Sequence, residues 1–316
     1  MFNAEWRCLF SNTFVFSRSS TSLHHAERHA LVPSEMNAIV FYEEKSGSTA
    51  LMLALHRVAG IEVVGMKKEG GEPFDMHQSG RRLGTRKVGQ LITAAYSATR
   101  DGIRIAKMRP RSQKRLLLPD VIHERLLIRT LKQGQIQPII LLRTDLFELA
   151  LSKFHGNGSG HNGHMQFIAI QDKDFSPERM VVGGKRWVWS QRRAIVHFRR
   201  LTRMSRRCAS TGLNPVILTY EQMLNHPESF WQELAKALEI PAQAQRMREA
   251  FQQQQMRKVR GKSSELYDNY EELLHRHEGL NFSRLNPRDL VFNKAIDRHL
   301  LFAGLQLRLQ EWLTKP

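Results

Sequence analysis

Residues 38–58, AIVFYEEKSGSTALMLALHRV, contain an apolar strand, a polar loop and a helix in direct succession. The first five residues are apolar and predict a strand; the run 138–142, which is apolar on both faces, predicts a central strand of a parallel sheet. From Thr49 onward the apolar residues Leu51, Leu55 and Val58 recur at helical spacing. The three segments are therefore predicted to form a strand-loop-helix unit.

The same alternation continues along the chain. Strand patterns occupy 103–106, 138–142 and 215–220, and helix patterns occupy 119–131, 146–153, 185–208 and 227–238. Alternating strands and helices predict an α/β fold, with a central parallel sheet flanked by helices. After Pro241 the sequence is mainly helical and polar, and it ends in an amphipathic stretch over 290–313.

Residues 1–35 differ from the rest because they are rich in Ser and His, have few acids and precede Met36. A mispredicted start or a disordered extension is the favoured interpretation, and an organelle transit peptide is the alternative, given Arg7, Arg18 and Arg28. Residues 36–316 are predicted to form one domain, with 274–316 as its helical tail.

Composition limits the class of protein. Lys and Arg outnumber Asp and Glu by 48 to 30, a net charge of +18 that favours anionic partners without choosing among them. The only cysteines, Cys8 and Cys208, allow neither a disulfide framework nor a cysteine zinc site. No apolar run approaches the roughly 18 to 20 residues of a membrane span. We therefore expect a soluble protein of a reducing compartment, the cytoplasm.

The loop Lys45-Ser46-Gly47-Ser48-Thr49 has the features of an anion-binding cradle. Gly47 lets the backbone approach an anion, and amides at the start of the following helix can donate to it. The nucleotide-triphosphatase loop places its lysine after a second glycine, whereas Lys45 precedes Gly47, so a kinase or ATPase loop is disfavoured. The alternative is an ordinary turn in which Ser46 or Ser48 caps the helix.

Arg143 follows the buried strand 138–142, and Ser152 lies on the next helix. Ligands of parallel sheets bind outside the carboxyl ends of the strands, so both residues are predicted to face the same crevice as the Lys45 loop. An arginine there can bind a phosphate through two hydrogen bonds. The alternative is an Arg143 salt bridge to Asp145 or Glu148.

These motifs together resemble the sulfotransferases that use 3′-phosphoadenylyl sulfate (PAPS). The Lys45 loop and the Arg143–Ser152 segment look like the two donor-binding motifs of that family, and Tyr220-Glu221 and residues 260–264, RGKSS, are similar to its later segments. The resemblance covers about residues 36–274, in family order. Glu72-Pro73-Phe74 makes the chain most similar to the bacterial and carbohydrate-type enzymes.

The resemblance implies a role for each matching residue. Lys45 would contact the oxygen that bridges phosphorus and sulfur, and Ser46, Gly47, Ser48 and Thr49 would bind the 5′-phosphate. Arg143 and Ser152 would bind the 3′-phosphate. Tyr220 would contact the adenine, and Lys262, with Arg260, would add positive charge near the 3′-phosphate. PAPS is the implied co-substrate, with no metal, within a P-loop-like sulfotransferase fold.

The implied acceptor is a hydroxyl group of a saccharide or glycoconjugate, and it needs a base to remove its proton. Glu72 is the preferred candidate because it lies in the Glu-Pro-Phe stretch, and His77 is the reserve. The alternative for Glu72 is an ion pair with Lys67 or Lys68. Lys107, Arg109 and Arg111 could line an acceptor cleft for an anionic sugar, or form a solvated basic edge.

Two other classes of function remain as alternatives, a P-loop nucleotide kinase and a basic nucleic-acid-binding protein. The second would use the arginine-rich helix 185–208, although a solvated face is the commoner outcome for such a helix. The Gly-rich segment 154–184 is interpreted as a mobile substrate loop. Its histidines His155, His161 and His164 lack further ligands for a metal site. We therefore expect neither bound metal nor bound nucleic acid.

Overall fold

The computed structural model describes residues 35–65, 73–74, 85–97, 102–110, 117–156, 167–169, 180–253, 256–258 and 263–313. A parallel sheet of five strands, in the order β2-β3-β1-β4-β6, lies at its centre. The strands are β1 (Met36–Phe41), β2 (Ile61–Val63), β3 (Ile103–Met108), β4 (Gln137–Leu142) and β6 (Val216–Thr219). Two short strands, β5 (Phe167–Ala169) and β7 (Met256–Lys258), form a separate antiparallel pair.

Helices account for most of the described residues outside the strands. They are α1 (Ser48–His56), α2 (Thr85–Tyr96), α3 (Leu117–Gln133), α4 (Leu146–Gly156), α5 (Gly184–Ser210), α6 (Tyr220–Asn225), α7 (Pro227–Ala237), α8 (Ala244–Gln252), α9 (Ser263–Leu266), α10 (Tyr270–His277), α11 (Pro287–Phe292) and α12 (Lys294–Leu313). All of these elements belong to one compact unit, residues 33–316. The predicted α/β architecture is confirmed.

The pleat of the central strands divides the core between the two faces of the sheet. In β1, Ile39 and Phe41 pack on one face with side chains of α2 to α5, whereas Ala38 and Val40 pack on the other with α1, α7 and α8. All four side chains are fully buried. This burial explains why β1 reads as a continuous apolar run rather than an alternating one.

The register of the sheet brings the carboxyl ends of its strands to one edge. Phe41 at the end of β1 pairs with Met108 of β3 and with Ile140 of β4, and Leu142 of β4 pairs with Thr219 of β6. The chain runs from β1 to β2 and β3 on one side, and then crosses to β4 on the other. Such a reversal of strand order leaves a crevice at the carboxyl edge, where ligands of α/β sheets bind.

The arginine-rich helix α5 corrects one expectation. Instead of forming a solvated face, six of its arginines pair with carboxylates of the surrounding elements. Arg203 and Arg207 contact Glu124 of α3, Arg199 and Arg206 contact Asp297 of α12, and Arg193 and Arg200 contact Glu44 and Glu43 after β1. Much of the basic charge of α5 therefore connects this helix to its neighbours.

Other differences concern loops and short elements. The segment 154–184 is not all loop, because α4 extends to Gly156 and β5 lies within it; most of its remainder falls outside the described residues. The stretch 290–313 is broken at Asn293, between α11 and α12. In the part of the chain that the structure describes, no helix has the length and apolar character to cross a membrane.

Candidate functional site

The loop between β1 and α1 has the backbone geometry of a close approach. Lys45 and Gly47 both have positive φ, at 69° and 76°. Gly47 is the N-cap residue of α1 and makes no side-chain cap, so the expected alternative of a serine cap is wrong. A Cβ atom at Gly47 would lie 2.6 Å from Met223 Cε and 2.8 Å from Tyr220 Cδ2. Glycine is required here for both φ and space.

The start of α1 has the partial positive charge of a helix N-terminus. Its first turn carries no acidic residue, and the amides of a first helical turn have no partner within the helix. The Ser46 side chain is buried, and its Oγ has no hydrogen-bond partner among the described residues. A buried hydroxyl without a partner is uncommon in a folded protein. The loop therefore offers a hydroxyl and amides for a ligand.

Arg143 lies directly beside this loop. Its Nη1 donates to the Lys45 carbonyl oxygen at 3.1 Å and to Ser152 Oγ at 3.1 Å. Its guanidinium stacks on the Tyr220 ring, 4.9 Å from the centroid. The residue is only 7% exposed, and its Nε has no hydrogen-bond partner within the described residues. Lys45, Arg143, Ser152 and Tyr220 are thus brought together as the sequence predicts.

Glu148 lies near Arg143, but its carboxylate makes only a long contact with the guanidinium group. Glu148 Oε2 is 3.8 Å from Arg143 Nη2 and accepts a hydrogen bond from Ser263 Oγ at 2.8 Å. The alternative salt bridge between Arg143 and Glu148 is therefore present, but only as a long contact. The predicted donor-binding residues Arg260 and Lys262, which precede Ser263 in the chain, lie outside the described residues.

Glu221 fixes the ends of two neighbouring strands. Its carboxylate accepts from Thr144 N at 3.0 Å, Thr144 Oγ1 at 2.9 Å and Asp145 N at 3.1 Å. The preceding Thr219 caps α6, and Gln222 completes the capping box. Glu221 therefore positions both Arg143, at the end of β4, and Tyr220, at the start of α6.

A second group of charges adjoins the loop on its β3 side. Glu44 Oε1 is 2.7 Å from Arg109 Nη1, and Glu44 Oε2 is 3.2 Å from Arg193 Nη2 and 3.9 Å from Lys153 Nζ. These three cations come from the end of β3, from α5 and from α4. We name Glu44, Arg109, Lys153 and Arg193 the Glu44 cluster. Lys107 is also close, donating to Thr49 Oγ1 at 3.0 Å from a buried position.

Burial perturbs the ionisation of residues beneath this cluster. It raises the pKa of Glu43 to about 7, against the opposing effect of Arg200 and Lys153. The pKa of Lys153 is lowered to about 8, mainly by burial and also by the nearby charges of Arg193 and Lys45, against the opposing effect of Glu44 and Glu43. The pKa of His197, whose Nδ1 is 3.2 Å from Glu43 Oε2, is held well below its usual value, first by burial.

The candidate acceptor residues are only partly described. Glu72, His77 and Arg111 lie outside the described residues, whereas the adjacent Phe74 is buried against Tyr96 of α2. His155 is on the last turn of α4, and His161 and His164 are not described. Within the described ranges, no group of three or more His, Cys, Asp or Glu side chains could hold a metal ion.

Sequence reasoning missed Glu43, Glu44, Lys153 and Arg193 as parts of the site. The pair Glu43-Glu44 directly before Lys45 was a usable signal, because carboxylates at a strand end of a parallel sheet need nearby cations. Their partners are remote in sequence: Arg109 and Arg193 lie 65 and 149 residues from Glu44. No local pattern indicates such pairs.

Comparisons of the chain with protein-family models, with curated proteins and with solved structures found no match. The fold itself defines the class of protein: it is an α/β protein with a five-stranded parallel sheet flanked by helices. Within that class, Arg143 contacts the Lys45 loop, Ser152 and Tyr220, so that polar and cationic groups meet at the carboxyl edge of the sheet.

Proposed function

We propose that this protein is a sulfotransferase, which moves a sulfuryl group from PAPS to a hydroxyl group of a saccharide or glycoconjugate. The observation that carries the proposal is the pair of buried polar atoms without partners in the described residues, Ser46 Oγ and Arg143 Nε. They flank one crevice, which Lys45 and Ser152 also adjoin. Buried donors left unpaired are costly, and a doubly phosphorylated nucleotide would supply acceptors for both.

Each part of the crevice suits one part of the donor. The α1 start with Ser46 to Thr49 suits the 5′-phosphate, since amides and hydroxyls converge there. Arg143 and Ser152 suit the 3′-phosphate, because a guanidinium binds phosphate through paired hydrogen bonds. The Tyr220 ring, which already packs on Arg143, is half-buried and offers an edge to the adenine. Arg260 and Lys262 are proposed to add positive charge.

The proposed chemistry is a single in-line displacement. The acceptor oxygen forms a bond to sulfur while the bond from sulfur to the bridging oxygen breaks, and adenosine 3′,5′-bisphosphate leaves. Negative charge grows on the bridging oxygen, and a cation already in place there lowers the barrier. Lys45 has that role in our proposal. The acceptor proton passes to a base, for which Glu72 and His77 are the candidates.

A divalent metal is not required in this scheme, because a sulfuryl group carries less charge than a phosphoryl group. This difference separates the proposal from the kinase alternative, which needs magnesium and ATP. The nucleic-acid-binding alternative predicts affinity that falls steeply with salt and no preference for adenosine 3′,5′-bisphosphate.

Thermal stabilisation by nucleotides tests the proposal directly, since a ligand that binds only the native state raises the unfolding temperature. We expect adenosine 3′,5′-bisphosphate to stabilise the protein without magnesium, and AMP and ATP to do so far less. Equal shifts with the three nucleotides, or a shift with ATP and magnesium alone, would contradict the assignment.

Substitution of Lys45 tests the mechanism separately from binding. Lys45→Ala should abolish transfer of labelled sulfate from PAPS to acceptor while the protein still folds. Lys87→Ala on the exposed surface of α2 is the matched control and should retain activity. Arg143→Ala should mainly weaken the stabilisation by adenosine 3′,5′-bisphosphate. Full transfer activity in the Lys45 variant would exclude the assigned role.

A further inference from the structure

The Glu44 cluster joins three separate elements immediately beside the Lys45 loop. Arg109 comes from the end of β3, Lys153 from α4 and Arg193 from α5. All three cations approach the one carboxylate of Glu44 within 4 Å, at 2.7, 3.9 and 3.2 Å. Lys45 itself lies near enough to lower the pKa of Lys153. The crevice wall on this side of the loop is therefore cationic.

This wall is reachable from solvent at one end. The Lys153 side chain is 2% exposed and that of Arg109 is 16% exposed, whereas Arg193 and Glu44 are 35% and 34% exposed. An incoming anionic group would therefore meet Arg193 first. Arg109 contacts the other carboxylate oxygen of Glu44 and is less exposed to solvent. Guanidinium groups bind carboxylates and sulfates through paired hydrogen bonds, and they are less strongly hydrated than ammonium groups.

An aromatic ring adjoins the accessible end. The Arg193 guanidinium lies over the ring of Trp189, 4.8 Å from its centroid, one helical turn earlier on α5. Trp189 is half-buried, in contrast to its neighbour Trp187, which is buried against Phe147 and Phe154. A partly exposed indole has a flat apolar face and a polar edge, which suits the face of a sugar ring. Trp189 and Arg193 therefore form a mixed apolar and cationic surface.

Four other arginines of α5 do not offer such a surface. Arg199 and Arg206 pair with Asp297, and Arg203 and Arg207 pair with Glu124, which ties α5 to α12 and α3. Arg193 differs because its partner carboxylate belongs to the residue directly before Lys45. Charge bound here would lie beside the proposed reaction centre rather than on the back of the helix.

Taking the sulfotransferase function as its basis, we infer that the acceptor is an acidic saccharide, whose carboxylate or ester sulfate binds Arg193 and Arg109 while a sugar ring lies against Trp189. The anionic group would share the cations with Glu44. This arrangement orients the sugar next to the Lys45 loop, where an acceptor hydroxyl must meet the sulfuryl group.

Three tetrasaccharides with one backbone test this inference: isomaltotetraose, its carboxymethylated form and its sulfated form. Binding is measured by calorimetry at 0.15 M salt, on protein saturated with adenosine 3′,5′-bisphosphate. We expect one or both acidic forms to bind and the neutral form not to bind measurably. Preference between the two acidic forms identifies the anionic group. Equal binding of all three forms, or of none, would overturn the inference.

Variants separate this site from the general attraction of a basic protein for anions. Arg193→Gln and Trp189→Ala should each weaken binding of the preferred acidic form about tenfold, the cost of losing a charged hydrogen bond or a ring contact. Arg276→Gln removes one charge from an exposed pair with Glu272 and is the matched control. Equal weakening by Arg193→Gln and Arg276→Gln would overturn the site.

The same samples distinguish failure of this inference from failure of the proposed function. Protein that does not bind adenosine 3′,5′-bisphosphate contradicts the sulfotransferase proposal, and the acceptor inference with it. Protein that binds the bisphosphate but shows no preference for acidic saccharides contradicts only the acceptor.

Discussion

Gly47 offers the sharpest test of how the Lys45 loop is built, because a methyl group there meets two obstacles. Its φ of 76° disfavours any side chain, and the new Cβ would approach Met223 Cε at 2.6 Å and the Tyr220 ring at 2.8 Å. The left-handed backbone costs alanine about 1 kcal/mol, and forcing atoms into a packed site adds about 1–3 kcal/mol. Gly47→Ala should therefore lower the free energy of unfolding by about 3 kcal/mol in all.

Gly212 provides the matched control for this substitution. It has φ of 83°, and a Cβ there would meet no heavy atom within 4 Å. Gly212→Ala thus carries the backbone cost without the clash, and the entropy that either substitution removes from the unfolded chain cancels between the two. For a protein of 316 residues, about 2 kcal/mol corresponds to roughly 3–4 °C in Tm, which is the expected gap between the variants.

Differential scanning fluorimetry with and without adenosine 3′,5′-bisphosphate gives both readouts in one experiment. Moving the Tyr220 ring away from Gly47 also disturbs its contact with Arg143, so Gly47→Ala should lose the nucleotide-induced shift while Gly212→Ala keeps it. Equal Tm values for the two variants, with normal nucleotide shifts in both, would show that the loop tolerates a side chain and would refute the argument from close approach.

Three further outcomes follow from the same geometry. Ser46→Ala should leave Tm unchanged or slightly higher, because the buried Oγ has no partner in the described residues, yet weaken bisphosphate binding about tenfold by titration calorimetry. Arg143→Lys keeps the charge but loses paired hydrogen bonds and ring stacking, so the bisphosphate Kd should rise about tenfold or more; an unchanged Kd would argue against phosphate binding there. Burial raises the pKa of Glu43 to about 7, so the folded state retains a proton that the unfolded state has lost, and this contribution to stability falls as pH rises from about 4.5 to 7. Glu43→Gln should therefore gain in Tm relative to wild type as the pH rises across that window; parallel Tm curves would contradict this assignment.

The parts of the fold that the sequence predicts are those with strong local patterns. The strands at 38–42, 103–106 and 138–142 correspond to β1, β3 and β4 within a few residues. The first and third are continuous apolar runs, as buried parallel strands usually are. The strand β2 and the pair β5–β7 were missed, since three residues are too short for any period. Helix α2 was missed as well, although Val88, Ile92 and Tyr96 recur at helical spacing and are buried.

The meeting of Lys45, Arg143 and Tyr220 was predictable for a different reason. A parallel sheet aligns the carboxyl ends of its strands, so residues that follow different strands converge without any pattern linking them. The Glu44 cluster was not predictable in this way, because Arg193 comes from the middle of α5 rather than from a strand end. Its place depends on how α5 packs across the sheet, and helical periodicity does not fix a packing partner.

Arg143 shows how stability and binding are coupled in this crevice. Its side chain holds the Lys45 carbonyl, the Ser152 hydroxyl and the Tyr220 ring together, which joins the ends of β1 and β4 to α4 and α6. The two groups that accept its hydrogen bonds are uncharged, and its carboxylate contact with Glu148 is long, at 3.8 Å. A guanidinium removed from water in this way is costly until an anion compensates it. The crevice is therefore organised before the ligand arrives, and part of the donor's binding energy comes from relieving that cost.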